Sequence, residues 1–198
     1  MSAAAAALIP VKAFSAAKHR LSGVLDDATR ASFAREMAST VVRAAAPLRT
    51  FIVCDDDEVA AWAREQAAEV IWTPGLGLNG AITEGVSQLR WQGIDVVTIV
   101  HADLPNAEPF GDMEPFDGAS IVPDRFRDGT NLLRIPAGSG FTFSYGPGSF
   151  DRHLAAALEL GMAVHEINRP DLAFDVDRPE DLEGARTQLW GPEGPHSR

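Results

Sequence analysis

Short apolar runs rich in β-branched residues alternate with longer segments of helical periodicity through the first half of the chain. This alternation predicts an α/β fold, because a parallel sheet whose strands are joined by helices has both faces covered. The run at residues 96–100 is β-branched throughout and apolar apart from Thr98, so we expect it at the centre of the sheet. The other predicted strands of this half are 5–9, 49–54 and 69–72, and the predicted helices are 28–45, 59–68 and 81–92.

Beyond Asp103, proline and glycine become frequent, and most of the predicted strands are no longer separated by long helices. The sheet is therefore predicted to be mixed but mostly parallel. At 198 residues the chain suits one domain, which we place at residues 1–190, followed by a frayed, flexible tail at 191–198. The predicted elements of this half are strands at 119–122, 132–135, 141–144 and 163–167 and helices at 150–160 and 179–189.

The chain is strongly acidic, with a formal charge of −11 and a pI near 4.8. Nucleic acids and anionic membranes need a broad basic surface, so neither is an expected partner. Cys54 is the sole cysteine, which excludes an internal disulfide and leaves too few thiolates for a cysteine zinc site. We read no targeting signal and no run of the roughly 20 apolar residues that span a bilayer. The expected location is the reducing cytoplasm.

Positive charge comes almost entirely from arginine, with fifteen arginines against two lysines. Both lysines, Lys12 and Lys18, fall in the turn-rich segment that follows the first predicted strand. Compact ammonium groups kept in one such segment indicate a phosphate-binding site. Composition bias together with chance explains the same pattern, so this feature alone does not decide between the two.

Three aspartates follow or occupy extended segments. Asp103 stands just past the end of the 96–100 strand, where ligands of open α/β sheets collect. Asp175 and Asp177 alternate in an extended stretch, so their carboxylates point to the same side and repel unless a cation lies between them. Oxygen ligands of this kind favour Mg²⁺. The alternative is a capping role for Asp103 and a solvated, acidic helix entry for the pair.

Glycine-rich and polar turns supply further candidate binding groups. The glycines at 75–80 let backbone approach a nucleotide, although their spacing matches neither the dinucleotide fingerprint nor the Walker loop, and a plain turn is the alternative. Ser149 is the predicted N-cap of the 150–160 helix, whose free N–H groups make either an anion site or a simply capped helix start. Arg125 and Arg127 lie beside a turn, and their guanidinium groups suit a carboxylate or phosphate.

The acidic run at 55–57 superficially resembles the aspartyl nucleophile of phosphatases. That motif needs a Thr or Val two places beyond its second carboxylate and normally follows the first strand of its fold, and neither condition is met here. We therefore interpret these residues as helix-capping acids. The histidines form no metal-ligand spacing, and no nucleophile triad is predicted.

Taken together, these positions resemble the guanylyltransferases of coenzyme F420 biosynthesis, enzymes that join GMP to a three-carbon phospho-acid. The similarity runs from Leu8 to about Leu189 and depends on the order and spacing of several short motifs. It implies the nucleotidyltransferase variant of the Rossmann-like fold, with three layers. The motifs are Pro10-Val11-Lys12, Ala17-Lys18-His19-Arg20-Leu21, Gly77-Leu78-Asn79-Gly80-Ala81, Ala102-Asp103-Leu104-Pro105, Asp128-Gly129-Thr130-Asn131, the stretch from Phe143 to Phe150, and Phe174-Asp175-Val176-Asp177 with Pro179.

The resemblance also implies a role for each group of candidate residues. The three aspartates hold Mg²⁺, and the two lysines face the triphosphate of GTP and form the catalytic set with Asp103. The implied phospho-acid contacts are Thr130, Gly146 and Ser149, and the implied guanosine contacts are Gly77, Asn79 and Gly80. Phosphoenolpyruvate is the favoured acid because the chain looks most like bacterial, actinobacterial-type members; 2-phospho-L-lactate and 3-phosphoglycerate are the alternatives. Oligomeric state stays open, although relatives suggest a homodimer through the second half.

Two other functions fit parts of the pattern. A glycosyltransferase of the related nucleotide-sugar fold also binds a nucleotide with a divalent metal, but it usually carries Asp-x-Asp at the mid-chain strand end. Here His101 occupies the first of those places. A catalytically silent nucleotide-binding module is the remaining alternative, and the presence of all three aspartates argues against it.

Overall fold

The computed structural model describes residues 3–114 and 116–189, with side chains described as far as residue 185. Within these residues, seven strands form one sheet with helices on both faces. The tail predicted at 191–198 lies outside the described residues. The strands are β1 (Ala5–Pro10), β2 (Arg49–Cys54), β3 (Glu69–Trp72), β4 (Val96–Val100), β5 (Ala119–Pro123), β6 (Thr130–Pro136) and β7 (Val164–Glu166).

Four longer helices and two short ones connect these strands or follow them. The helices are α1 (Asp27–Ala44), α2 (Asp57–Glu65), α3 (Gly77–Trp91), α4 (Ser149–Glu159), α5 (Pro170–Ala173) and α6 (Leu182–Leu189). Tight 3₁₀ turns lie at Phe14–Ala16, His19–Leu21 and Pro179–Asp181.

The strand order across the sheet is β3-β2-β1-β4-β6-β5-β7. β1 pairs in parallel with both β2 and β4, whereas β6 runs antiparallel to both of its neighbours. The predicted α/β fold with a mixed, mostly parallel sheet is therefore confirmed, and β4 is the central strand, as predicted. Because the strand order reverses between β1 and β4, their carboxyl ends open a crevice at that point.

Both faces of the sheet are buried, which explains why β1 is apolar throughout. Ala7 and Ile9 belong to the core beneath α1 and α2, whereas Leu8 belongs to the core beneath α3 and α4. This division follows from the two-residue period of a strand. Asp56 caps α2 by accepting a hydrogen bond from the Val59 N–H at 3.0 Å, in agreement with the capping role predicted for the 55–57 run.

The strand predicted at 141–144 is wrong. Phe141, Phe143 and Tyr145 are buried on one side of an extended segment, and neighbouring rings lie against each other with centroids 5.4 and 6.4 Å apart. The backbone N–H of Ser144 donates to Nε2 of His153 on α4 instead of to a neighbouring strand. The alternation of apolar residues thus predicts correctly that one side of this segment is buried. The segment is not a strand, because its neighbour is helix α4 and not another strand.

No helix in the part of the chain that the structure describes combines the length and apolarity needed to cross a membrane.

The loop that follows β4 packs closely against the end of α1. The N–H of Phe110 donates to the carbonyl oxygen of Ala44 at 2.9 Å. A Cβ atom on Gly111 would lie only 2.2 Å from the carbonyl oxygen of Ala45 and 2.4 Å from that of Ala46. Because the obstructing atoms are backbone, they cannot move aside by rotating a side chain.

We expect Gly111→Ala to lower the free energy of unfolding by about 1–3 kcal/mol, the usual cost of overpacking. Urea denaturation measures the change. Gly23→Ala is the matched control, since a Cβ there meets no atom within 4 Å. Equal stability of the two variants would contradict the close packing of this loop.

Candidate active site

The candidate active site is a cleft of about 720 Å³ at the carboxyl ends of β1, β2 and β4. Open α/β sheets bind their ligands in this position because the loops on either side of the strand reversal diverge there. Lys12, Lys18, Gly77, Asp103 and Asp177 all line the cleft. The structure therefore brings together both predicted lysines, one predicted nucleotide contact and two of the three predicted metal ligands.

Lys18 links two segments of the site that are far apart in sequence. Its Nζ lies 2.5 Å from Oδ2 of Asp103 and 3.2 Å from Oδ1 of Asp177. Burial alone would lower the pKa of Lys18, but the two carboxylates outweigh it and hold the pKa above its usual value. Arg20 adds a second cation, with Nη1 at 3.3 Å from Oδ2 of Asp177.

Asp103 is held in its ionised form. Burial alone would raise its pKa, but Lys18, the neighbouring His101 and hydrogen bonds together outweigh burial and hold the pKa below its usual value. Burial lowers the pKa of the His101 ring. Oδ1 of Asp103 is buried and has no hydrogen-bond partner among the described residues.

Asp175 joins the same electrostatic cluster. Burial and the nearby carboxylates of Asp103 and Asp177 raise its pKa to about 6. The segment is tied to the end of β4 by a backbone hydrogen bond, in which the Val176 N–H donates to the carbonyl oxygen of Asp103 at 3.3 Å. The three aspartates predicted from the sequence therefore interact electrostatically.

These residues fit a hard divalent cation. The donors are carboxylate oxygens, one of them buried and without a hydrogen-bond partner, and the carboxylates of Asp103 and Asp177 add to burial in raising the pKa of Asp175. In the structure the ammonium of Lys18 lies between Asp103 and Asp177. Accordingly, no three Asp, Glu, His or Cys side chains in the described ranges are arranged as a ready metal cage.

The predicted guanosine loop is the first turn of a helix. α3 begins at Gly77, four residues earlier than expected, and its N-terminal residue borders the cleft. No side chain caps this end, so its free N–H groups are available to a ligand. Gly80 packs closely enough that an added Cβ would lie 3.1 Å from Cβ of Leu76.

Asn79, a predicted guanosine contact, also makes hydrogen bonds within the protein. Its Oδ1 accepts from the N–H of Tyr145 at 2.7 Å, and its Nδ2 donates to the Tyr145 carbonyl oxygen at 3.3 Å. The side-chain amide thus pairs with both backbone groups of one residue. This contact ties α3 to the loop that carries Gly146.

The predicted phospho-acid contacts form a second group, around the start of α4. Thr130 and Ser149 are almost fully buried, and the N–H of Ser149 donates to the carbonyl oxygen of Gly146 at 3.0 Å. Ser149 is the first helical residue, not the N-cap as expected, because Gly148 takes that place in a left-handed conformation. None of the three lines the cleft described above.

A row of rings connects this group to the cleft. The ring of His101 lies 5.2 Å from that of Tyr145, which lies 4.6 Å from that of His153. Nδ1 of His153 is 3.0 Å from Oγ1 of Thr130. Since Nε2 accepts from the Ser144 N–H and burial lowers the pKa of His153 to about 4, the ring is neutral and donates to Thr130 through Nδ1.

Arg125 and Arg127, predicted to bind a carboxylate or phosphate of the substrate, have other partners in the structure. Arg125 forms an ion pair with the buried Asp181, and Arg127 forms one with Glu166 at the surface. Neither lines the cleft. Arg20 and His101 also belong to the site but were not predicted. Arg20 lies in the motif that contains Lys18, and His101 stands two residues before Asp103.

The fold is the Rossmann-like fold that nucleotidyltransferases and nucleotide-sugar transferases share. The fold is similar to that of a putative nucleotide-diphospho-sugar transferase from Desulfovibrio desulfuricans G20, with a TM-score of 0.71 and 19% identity over 91% of this chain and 85% of the other. It is also similar to a nucleotidyl transferase from Methanothermobacter thermautotroptrophicus, with a TM-score of 0.68 and 16% identity over 95% and 98% of the two chains.

The particular family is shown by the sequence. The chain belongs to the family described as guanylyl transferase CofC like, whose model matches residues 5–188. A phosphoenolpyruvate guanylyltransferase from Rubrobacter xylanophilus is 39% identical, covering 93% of this chain and 94% of that protein. A protein of the same name from Chloroflexus aggregans is 34% identical, covering 88% and 93%.

We expect Asp175→Asn to stabilise the metal-free protein at pH 7.5. The pKa of Asp175 is 3.8 when unperturbed and about 6 when folded, so this carboxyl's contribution to stability is present below 3.8 and lost as pH rises through 6. Removing the charge should raise the free energy of unfolding by on the order of 1 kcal/mol, less than the full shift because the side chain is partly exposed.

Urea denaturation at pH 7.5 and pH 4 tests this, with Asp117→Asn as an exposed control. The gain should shrink at pH 4, where the wild-type carboxyl is already largely protonated. An Asp175→Asn protein less stable than the wild type at pH 7.5 would contradict the electrostatic cluster.

Proposed function

We propose that the protein transfers GMP from GTP to phosphoenolpyruvate and releases pyrophosphate, as a step of coenzyme F420 biosynthesis. The observation that carries this proposal is the joint placement of Lys12, Lys18, Asp103 and Asp177 in one cleft of a chain from the guanylyl transferase CofC-like family. The name of the two relatives supports phosphoenolpyruvate as the acceptor. Related three-carbon phospho-acids such as 2-phospho-L-lactate remain the alternatives to test.

The reaction needs placement and charge neutralisation more than proton transfer. A phosphate monoester is largely dianionic at neutral pH, so one of its oxygens attacks the α-phosphorus of GTP without a general base. A new P–O bond forms as the bond to the bridging oxygen breaks, and its electron pair leaves with pyrophosphate. The lowered pKa values of His101 and His153, each caused first by desolvation, are consistent with this chemistry.

Each group of candidate residues, in the cleft or beside it, has a role in this proposal. Lys12 and Lys18 meet the triphosphate, and the open N-terminus of α3 at Gly77 meets the nucleotide. Asp103, Asp175 and Asp177 would hold Mg²⁺, which when bound supplies positive charge against the phosphate oxygens. Thr130, Gly146 and Ser149 orient the phospho-acid beside them.

We also propose a cytoplasmic location, with GTP and a small phospho-acid as ligands and with neither nucleic acid nor membrane as a partner. A charge of −11 opposes nucleic-acid binding, and the single buried thiol of Cys54 needs no oxidising compartment. The homodimer remains a prediction, which sedimentation of the purified protein would test.

Pyrophosphate release with GTP and a panel of phospho-acids tests the activity. Guanylyl transfer yields pyrophosphate only when both substrates are present, whereas a sugar transferase releases a nucleoside diphosphate from a nucleotide sugar. A silent nucleotide-binding module gives neither product. Product formation from a nucleotide sugar alone would replace our proposal with glycosyl transfer.

We expect Asp103→Asn to lower the rate of pyrophosphate release at least about 100-fold, because it removes one ligand of the cation and the ion-pair partner of Lys18. Circular dichroism should show that the fold is kept. Asp117→Asn, an exposed acid, is the control. Turnover of Asp103→Asn equal to that of the wild type would remove Asp103 from the site.

We expect Ser149→Ala to raise the KM for the phospho-acid by about 10-fold, the value of one hydrogen bond to a charged group, and to leave the KM for GTP nearly unchanged. Steady-state kinetics with each substrate varied in turn measures both constants. Asp151→Asn, an exposed change in the same helical turn, is the control. A larger effect on GTP than on the acid would contradict the placement of Ser149.

A further inference from the structure

The segment that carries Asp175 and Asp177 has little regular structure, since it lies between the short helix α5 and the 3₁₀ turn at Pro179–Asp181. An irregular backbone of this kind does not by itself fix the direction of its side chains, so other contacts must hold it in place. The carboxylate of Asp181 supplies two of these contacts. Its Oδ2 accepts hydrogen bonds from the N–H groups of Asp177 and Arg178, each at 2.8 Å.

Arg125 completes the arrangement from the other side. One of its terminal nitrogens pairs with Oδ1 of Asp181, and the other donates to the carbonyl oxygen of Asp175 at 3.1 Å. Its backbone N–H donates to the carbonyl oxygen of Ala173 at 2.8 Å. Arg125 thus contacts this segment before, at and after Asp175, one of the predicted metal ligands.

Aromatic rings hold the guanidinium in place. The Arg125 guanidinium lies 4.7 Å from the ring centroids of both Phe126 and Phe174. Asp181 is buried, so its charge requires the compensation that Arg125 gives. A planar group with donors in fixed directions suits this task, because it addresses Asp181 and the Asp175 carbonyl at the same time.

We propose that Arg125 and Asp181 are positioning residues, which hold Asp175 and Asp177 toward Asp103 and thereby set the affinity of the site for a divalent cation. This inference rests on the proposed function. A buried ion pair often adds little to the free energy of folding, but it can select one conformation of the backbone around it. Here that backbone is the one bearing two of the three carboxylates.

Manganese binding tests the inference without relying on turnover. The Kd for Mn²⁺ is measured by electron paramagnetic resonance in the presence of GTP, for the wild type and for Arg125→Met, Arg125→Lys and Asp181→Asn. We expect each variant to bind Mn²⁺ about 10- to 100-fold more weakly, the usual effect of removing a residue that orients a metal ligand. Turnover should recover in part as Mg²⁺ is raised.

Arg125→Lys separates positioning from folding. It keeps the charge beside Asp181 and the apolar stem between the two rings, so its thermal midpoint should stay close to that of the wild type. It loses the fixed pair of donor directions, so its Mn²⁺ affinity should still fall. Arg127→Met is the matched control, since this arginine lies on the same turn but pairs with the surface residue Glu166.

Each outcome of these measurements either supports or overturns the positioning role. Wild-type Mn²⁺ affinity in folded variants, or loss of folding in all three, would overturn the inference in favour of a purely structural ion pair. A wild type that binds Mn²⁺ but releases no pyrophosphate would reject the proposed reaction and leave the positioning role standing. A wild type that fails to bind Mn²⁺ with GTP present would overturn the cation site and this inference together.

Discussion

The ammonium group of Lys18, shared between Asp103 and Asp177, is the contact on which the organisation of the site depends. It joins the loop after β1, the end of β4 and the segment after α5, which are separated by up to 159 residues in sequence. Partly buried carboxylates this close repel each other unless a cation is present. Lys18 supplies that charge in the protein itself, and Arg20 adds a second cation beside Asp177.

The sheet determines which groups meet. β1 and β4 are adjacent and parallel, so the lysine-bearing loop after one and Asp103 after the other emerge at the same edge. β6 runs antiparallel beside β4, which brings its first residue, Thr130, to that edge as well. The row of rings from His101 through Tyr145 to His153 then links the predicted acid-binding group with the carboxylate cluster. The predicted nucleotide-binding and acid-binding groups are therefore neighbours in space, although the strands that support them lie far apart in the sequence.

Several features could be predicted because they depend on local pattern. The alternation of strands and helices, the central position of β4 and the cap at Asp56 follow from side-chain period and capping chemistry. The segment at 141–144 could not be predicted correctly. A period of two indicates that one side is buried, but it does not show whether a neighbouring strand is present to form the hydrogen bonds of a sheet. Arg125 was equally ambiguous, since a guanidinium beside a turn suits a substrate anion and a buried Asp181 alike.

By itself, the sequence determined the fold class, the family and the residue types available for chemistry, because periodicity and the order of motifs can be read directly from the sequence. Only the tertiary structure decided which charges face one another. It placed Lys18 rather than Lys12 between the acids, used the Asn79 amide to hold Tyr145, and assigned Arg125 to the support of the Asp175 segment. The physical reason is that electrostatic and hydrogen-bond partners are selected by distance in space, and distance between remote residues is a property of the packed sheet.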